Sequence, residues 1–179
     1  MTAMLAATAV LLHAEGRLWI CSCGLHFWAG DTCSANNSQQ FLDPYSFTHV
    51  LHGVVYFWLL ALVVKLVLPR LRPAGQLCLA VTAACLWELL ENSTLIIQRY
   101  RETTAALGYE GDTVINSLGD ILCCVAGFMI ARRLGLRRSV LAFVGTEIVL
   151  LFWIRDSLLL DILMLVHPFA AIKNWQLCH

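Results

Sequence analysis

Histidines and acidic residues recur at helical spacing inside the apolar stretches of this chain. His49 and His52 are three residues apart, as are Glu88 and Glu91, and residues so spaced lie on one face of a helix. Burying such groups in apolar surroundings is costly unless they are paired or face water, so each is a candidate functional residue. A second helical face carries, at intervals of four residues, Asp112, Asn116 and Asp120.

These residue types can divide the roles of acid and base catalysis. Two carboxyl groups in unequal environments can act as acid and base, because burial raises the pKa of the deeper one. We assign Glu88 as the deep acid and either Asp112 or Asp120 as its ionised partner, and His49 or His52 can transfer protons. The predicted catalytic residues are therefore Glu88, Asp112, His49, His52 and Asp120.

Other polar residues are candidates for contacts with a substrate. Arg99 or Arg155 can bind an anionic headgroup through charge-assisted hydrogen bonds. The predicted substrate-binding set is completed by Asn92, Asn116, Glu91, Asp156 and His167. Structural alternatives remain open, since Glu88 or Glu91 can pair with an arginine and the two asparagines can join helices by hydrogen bonds.

The histidine and glutamate pairs also have the ligand types of a carboxylate-rich metal site. The alternative needs no ion, because neutral imidazoles can hydrogen-bond to protonated or Arg-paired glutamates. No set of residues that would orient the histidines can be identified in the sequence. We therefore favour the metal-free arrangement and predict neither a metal ligand set nor a cofactor.

The composition restricts the class of protein. Of 179 residues, 59% are hydrophobic and 13% are charged, and the mean hydropathy is +0.72. A soluble domain has about 45–50% apolar and about 25% charged residues, so this chain has too little polar surface to dissolve in water. It is predicted to be an integral membrane protein. Twelve basic residues balance twelve acidic ones, and nothing indicates a nucleic-acid partner.

The predicted fold is all-α, a bundle of four to five transmembrane helices in a single membrane domain, 1–179. Because a span needs about 20 mainly apolar residues, the expected spans are about 3–20, 47–68, 76–98, 113–130 and 139–154. The first is marginal. Residues 157–172 are apolar but short and interrupted, which is typical of an interfacial or re-entrant helix.

The distribution of basic residues predicts the orientation. Two segments without any acidic residue contain seven of the twelve basic residues, namely Lys65, Arg70, Arg72, Arg132, Arg133, Arg137 and Arg138. Such loops are usually cytoplasmic. The N-terminus is then cytoplasmic, the C-terminus is periplasmic, and the polar residues lie in the outer leaflet.

Four cysteines fall on the predicted outer side, where accessible pairs are oxidised. Cys21 and Cys23 are too close in sequence for a relaxed mutual disulfide, so Cys33 or Cys178 are the expected partners. Alternatively, Cys21, Cys23 and His26 begin a metal or redox site.

A set of motifs follows in order along the chain. They include Cys21-Ser-Cys23-Gly24, His49-x-x-His52-Gly53, Trp87-Glu88-x-x-Glu91-Asn92, Gly111-Asp112-x-x-x-Asn116-Ser117-x-x-Asp120, Ile154-Arg155-Asp156 and His167-Pro168. This order resembles an uncharacterised (UPF/DUF-type) family of proteobacterial multi-pass inner-membrane proteins. The likeness extends over nearly the whole chain from Cys21 and implies a bacterial plasma-membrane location. A more distant likeness is to VanZ-like membrane proteins.

Two functions are compatible with these patterns. The first is a membrane-embedded enzyme that acts at the outer leaflet on a lipid or lipid-linked substrate. The second is a non-catalytic lipid-binding or membrane-assembly factor whose polar cluster is structural. A transporter is less favoured, because its charged residues would line both leaflets. The expected partners are membrane lipids.

Overall fold

The computed structural model describes residues 1–104 and 108–177. Over these residues the secondary structure is helical, with one isolated β-bridge between Trp28 and Leu42. The prediction of an all-α protein is therefore confirmed. The helices are α1 (Thr2–Ala14), α2 (Ser46–Leu66), α3 (Pro73–Glu91), α4 (Thr94–Thr103), α5 (Val114–Trp153), α6 (Leu158–Val166) and α7 (Ala170–Gln176).

Three of the described helices, α2, α3 and α5, are long and apolar enough to cross a membrane. Helix α1 is apolar but has only 13 residues, fewer than the ~20 that a full span needs. The predicted span 3–20 is thus too long at its C-terminal end, where the helix stops at Ala14. The predicted span 76–98 is also too long, because α3 ends at Glu91 and Ser93 caps a new helix by accepting a hydrogen bond from the backbone of Ile96.

Helix α5 contains two of the predicted spans and changes direction between them. Gly135 has φ 74° and ψ 172°, a backbone conformation that L side chains rarely adopt. The first half runs parallel to α2, since Ser46 contacts Asp120 near the start of both helices. The second half runs back, since Trp58 donates to Ser139 and the ring of Phe47 lies against that of Trp153. The chain therefore forms a helical hairpin around α2.

The backbones of α2 and α5 touch at two glycines. A Cβ atom added to Gly53 would lie 2.0 Å from the carbonyl oxygen of Cys124, and one added to Gly127 would lie 1.9 Å from that of Val50. Neither distance is sterically possible. Small residues of this kind let membrane helices approach closely, and here they hold α2 directly against the first half of α5.

Helix α3 runs antiparallel to α2, since Glu88 near its end lies beside His49 near the start of α2. Helix α3 also packs on α5, where Cys85 and Cys124 share an apolar cluster. The start of α2, the end of α3 and both ends of the α5 hairpin consequently meet at one end of the bundle, which we call the polar end. The two basic segments, residues 65–72 and 132–138, lie at the opposite end of the bundle, after α2 and between the two halves of α5.

The C-terminal stretch differs from the single helix predicted over 157–172. It is divided into α6 and α7, because Pro168 cannot donate a backbone hydrogen bond and holds the preceding His167 in an extended conformation, with φ −140° and ψ 92°. Ser157 caps α6 by accepting a hydrogen bond from the backbone of Leu160.

The cysteine pairing predicted from sequence is wrong. Cys21 forms a disulfide with Cys23, and their Cα atoms are 5.1 Å apart, within the usual range of about 4.4–6.8 Å. Gly24, which follows Cys23, has a positive φ of 94°, and its backbone N–H donates to the carbonyl oxygen of Cys21 at 3.2 Å. Cys33 is also in a disulfide, and Cys178 lies outside the described residues.

The contact between α2 and α5 yields a prediction about stability. Gly127→Ala should lower the free energy of unfolding by about 1–3 kcal/mol, because the added methyl group must push the two backbones apart. The measurement is the melting temperature of the purified protein in detergent. Gly145→Ala is the matched control, since a Cβ at that position meets nothing within 4 Å and should leave the melting temperature close to that of the wild type. Equal melting temperatures for both variants would contradict the close contact.

Candidate functional site

A cavity of about 120 Å³ lies at the polar end of the bundle. Its acidic and imidazole side chains come from the helices and from the segments that join them. In the part of the chain that the structure describes, no lysine or arginine lines it. The titratable groups of its wall, tyrosines apart, are His49, His52, Glu91, Asp112, Asp120, Asp156 and Asp161.

His49 joins three helices at the base of this cavity. Its Nδ1 atom lies 3.3 Å from Oε1 of Glu88 on α3, and its Nε2 atom lies 3.8 Å from Oδ2 of Asp120 on α5. The hydroxyl group of Ser46 donates to the other oxygen of Asp120 at 2.9 Å. The sequence-predicted residues His49, Glu88 and Asp120 are thus brought together, with an imidazole between two carboxyl groups.

Glu88 is fully buried, and neither of its carboxyl oxygens has a hydrogen-bond partner of normal geometry among the described residues. On the next turn of α3, Glu91 accepts a hydrogen bond from the hydroxyl group of Tyr100 at 3.1 Å through Oε1. Its Oε2 atom is buried without such a partner. Among the residues that the structure describes, Glu91 forms no ion pair with an arginine, a pairing that the sequence allowed.

His52 lies beside His49, with 5.3 Å between the ring centroids. Its ring is flanked by Tyr56 and Trp87, at 6.1 and 5.2 Å. The Nδ1 atom of His52 is buried and has no hydrogen-bond partner in the described structure. Both histidines predicted from their spacing therefore face the same cavity.

Asp112 precedes α5 and is held by two neighbours. The hydroxyl group of Tyr109 donates to Oδ1 at 2.8 Å, and the side-chain amide of Asn92 donates to Oδ2 at 3.0 Å. Asn92 also accepts from the backbone N–H of Asp112 at 2.7 Å. Burial raises the pKa of Asp112 to about 6. A carboxyl group of this kind can exchange a proton near neutral pH.

Asn116 does not line the cavity, although the spacing predicted it on one face with Asp120. Its amide donates to the carbonyl oxygen of Gln40 at 2.7 Å and to Asp43 at 3.3 Å. Asp43 in turn accepts from the backbone N–H groups of Ser38 and Tyr45, at 2.9 and 2.8 Å. Asn116 therefore fastens the loop before α2 to α5.

Three residues expected to bind substrate lie elsewhere. Arg99 donates from Nε to the carbonyl oxygen of Leu165 at 2.8 Å, and Arg155 donates to that of Trp175 at 3.2 Å. His167 is exposed and packs against the ring of Phe169. The two arginines attach the C-terminal helices to the bundle, and none of the three residues lines the cavity.

The sequence analysis missed several residues of the cavity wall. Tyr45, Tyr100 and Tyr109 line it, and Tyr45 donates to Asp156 at 3.3 Å. Tyrosine is common at membrane interfaces, so its presence there gave no signal. Asp161 does carry a signal, because it is the one acidic residue of the apolar segment that forms α6.

The fold and the cavity define a class: an all-helical, membrane-type protein with an acidic, histidine-containing site at one end of the bundle. Residues 12–178 match the model of a family described as "Protein of unknown function (DUF2585)". The chain is 43% identical over 175 residues to a UPF0314 protein of Sphingopyxis alaskensis, covering 97% of this chain and 91% of that one. The chain belongs to this DUF2585/UPF0314 family.

Other relatives agree with this assignment. A UPF0314 protein of Paracoccus denitrificans is 43% identical over 93% of this chain and 88% of its own length. One of Brucella anthropi is 38% identical over 97% and 87% of the two chains. The family resemblance read from the motifs is therefore confirmed, and the likeness to VanZ-like proteins stays a prediction. No solved structure matches this chain significantly.

Asp156 provides a prediction about pH. Burial raises the pKa of Asp156 to about 6 from an ordinary 3.8, and the charge of Glu147 adds to this rise. Burial also raises the pKa of its neighbour Asp161, and so does the charge of Asp156. A carboxyl group with a raised pKa in the folded state binds its proton more tightly there than in the unfolded state. Its ionisation above pH 6 therefore costs about 3 kcal/mol of stability.

We expect Asp156→Asn to melt at nearly the wild-type temperature at pH 4 and at a higher temperature at pH 7.5, because asparagine does not ionise. Melting curves of both proteins in detergent across this range provide the measurement. Glu15→Gln, which removes an exposed carboxyl group, should show no such divergence. A variant that is destabilised equally at both pH values would show that only the hydrogen bonds of Asp156 matter.

Proposed function

We propose that this chain is a membrane-embedded enzyme that uses carboxyl groups and imidazoles as acids and bases on a lipid or lipid-linked substrate. The observation that carries the proposal is the cavity itself, in which two histidines and five carboxyl groups face one space at the end of an apolar bundle. Buried ionisable groups lower the stability of a fold, and in proteins they cluster mainly at active sites.

The roles follow from the contacts. Glu88, His49 and Asp120 form a continuous series in which a proton can move across the imidazole from one carboxyl group to the other. Asp112 faces the same cavity from the loop side, and its pKa of about 6 suits a group that gains and loses a proton near neutral pH. His52 completes the predicted set of catalytic residues.

The other wall of the cavity supports a lipid as the substrate. It is apolar and is formed by the end of α5 and one face of α6, with Ile154, Leu158, Ile162 and Leu165. An acyl chain can lie along such a wall while its polar part meets the acidic side. In this proposal Arg99 and Arg155 are positioning residues, because they hold α6 and α7 over the cavity.

The proposal includes a location in the bacterial inner membrane. We infer full spans in α2, α3 and each half of the α5 hairpin, with α1 as a shorter fifth helix. The N-terminus is cytoplasmic, the C-terminus is periplasmic, and the polar end lies in the outer leaflet. The support is that the two basic segments and the cavity lie at opposite ends of the helices.

A non-catalytic role in lipid binding or membrane assembly is the second candidate. It is favoured by the hydrogen bonds of Asn92 and Asn116, which connect one part of the chain to another. Polar residues used in this way stabilise helix packing in membranes. This alternative predicts that ionisation of the acidic groups is dispensable as long as their shape is kept.

Isosteric substitutions separate the two candidates. Glu88→Gln and Asp112→Asn should accumulate in the membrane at near-normal levels, yet fail to restore the membrane-lipid profile of a strain that lacks the native gene. Both changes keep the shape of the side chain and remove its charge. The matched control is Glu102→Gln, an exposed position on α4 that should restore the profile fully. Full restoration by both test variants would favour the non-catalytic role.

The orientation has its own test. Single cysteines placed at Arg72 and Arg137, in a background without other reactive cysteines, should resist a membrane-impermeant thiol reagent in intact spheroplasts and react after lysis. A cysteine at Gly108, which has open space around it, should react in both. Labelling of the first two positions in intact spheroplasts would reverse the proposed topology.

A further inference from the structure

The strongest unexplained feature of the molecule is the carboxyl group of Glu88. The residue is 0% exposed, it lies within a membrane-type helix, and both of its oxygens lack a hydrogen-bond partner of normal geometry in the described structure. Its neighbour Glu91 has a second buried oxygen in the same condition. Burying an oxygen atom without a hydrogen bond costs folding free energy. The two neighbouring glutamates therefore indicate that a bound ligand interacts with these oxygens.

The spacing of the surrounding atoms fits a metal ion. One nitrogen of His49 and one oxygen from each of Glu88 and Glu91 all lie within 4.8 Å of one another. In a tetrahedral Zn²⁺ site two ligand atoms are about 3.4 Å apart, because each bond is about 2.0–2.2 Å long. The three atoms lie within 4.8 Å of one another, so each would have to move inward by less than about 1 Å to bind one ion.

Two of these ligands are oriented by a neighbour on the far side. Asp120 lies 3.8 Å from Nε2 of His49, which favours a proton on that nitrogen and leaves Nδ1 to face Glu88. Tyr100 donates to Oε1 of Glu91, whereas Oε2 accepts no hydrogen bond of normal geometry among the described residues. A carboxyl group behind a histidine is the usual outer partner of a metal-binding imidazole.

From these observations we propose that His49, Glu88 and Glu91 bind one divalent transition-metal ion, with Nδ1 of His49 and a carboxyl oxygen of each glutamate as ligands. A nitrogen and two oxygens suit Zn²⁺, Mn²⁺ or Fe²⁺. The cavity beside the site provides room for water or a substrate to complete the coordination. The proposal replaces the metal-free arrangement favoured by the sequence, where the orienting role of Asp120 was invisible.

The charge of the cavity supports the same conclusion. Five carboxyl groups line it and no lysine or arginine does so in the described ranges, so a bound cation would offset their repulsion. A second histidine-containing set, His49, His52 and Cys124, is equally compact. This second set shares His49, but it does not explain the buried oxygens of Glu88 that lack hydrogen bonds of normal geometry. The two sets can be distinguished because only the second requires Cys124 for ion binding.

The proposal deepens the proposed function and rests on the same cavity, but it is tested by binding alone. The full-length protein in detergent is stripped with a chelator and then titrated with Zn²⁺, Mn²⁺ or Fe²⁺ (the last without oxygen). We expect one ion per chain by elemental analysis after removal of the excess. We also expect a rise in melting temperature, since a ligand that binds only the folded state stabilises it.

Variants identify the ligands. Glu88→Gln and Glu91→Gln should each lower the affinity for the ion at least tenfold and reduce the metal-dependent rise in melting temperature. Glu102→Gln and Cys124→Ala should retain both. His49→Ala should abolish binding, and the two glutamine variants keep the test valid if this larger change prevents folding.

Two results would overturn the metal site: a stripped wild-type protein that takes up no ion and whose melting temperature does not change, or ion binding that survives Glu88→Gln but is lost in Cys124→Ala. Neither result depends on activity. The proposed function is tested separately by whether Asp112→Asn restores the membrane-lipid profile of the strain that lacks the native gene. Asp112 is not a ligand in this proposal, so that variant should still bind one ion.

Discussion

The close contact between the backbones of α2 and α5 is the constraint on which the geometry of the site depends. Gly53 and Gly127 let the two helices approach until only hydrogen atoms separate their main chains. At this distance the side chains one or two turns away must meet, and these are His49 and Asp120. Helix α3 then adds Glu88 to the same group from the opposite side. The site is therefore a direct result of how closely two helices pack.

This packing explains why so many ionisable residues are tolerated in an apolar bundle. Most of them are arranged so that a hydroxyl, an amide or an imidazole lies next to each carboxyl group, as Tyr109 and Asn92 do for Asp112. Glu88 has the imidazole of His49 beside it, but neither of its oxygens accepts a hydrogen bond of normal geometry among the described residues. Its burial without a hydrogen bond lowers the stability of the bundle unless a ligand compensates, and this imbalance is typical of a site that is shaped for binding.

Sequence periodicity predicted the central part of the site well. Helical spacing correctly placed His49 and His52 on a common face of α2, because spacing along a helix depends only on local geometry. The helical face predicted for Asp112, Asn116 and Asp120 was wrong in part, because Asp112 precedes α5 and Asn116 does not line the cavity. It could not predict which residues outside the long helices approach the cavity. Arg99 and Arg155 were expected there on charge, but their long side chains reach the carbonyl oxygens at the ends of α6 and α7 instead. Tyr45 and Tyr100 were missed because contacts between distant segments leave no periodic pattern.

The order of the elements along the chain has a consequence for how the protein is made. Helix α2 leaves the ribosome first among the long helices, and it carries His49 and His52 into the membrane before Glu88 and Asp120 have been synthesised. Until then the face of α2 that carries Gly53 has no helix to pack against. Both imidazoles are then expected to stay near water at the membrane interface. The bundle can assemble only after the first half of α5 has inserted. Biogenesis therefore has a late committed step, in which one helix pairing closes the core and encloses the polar residues together.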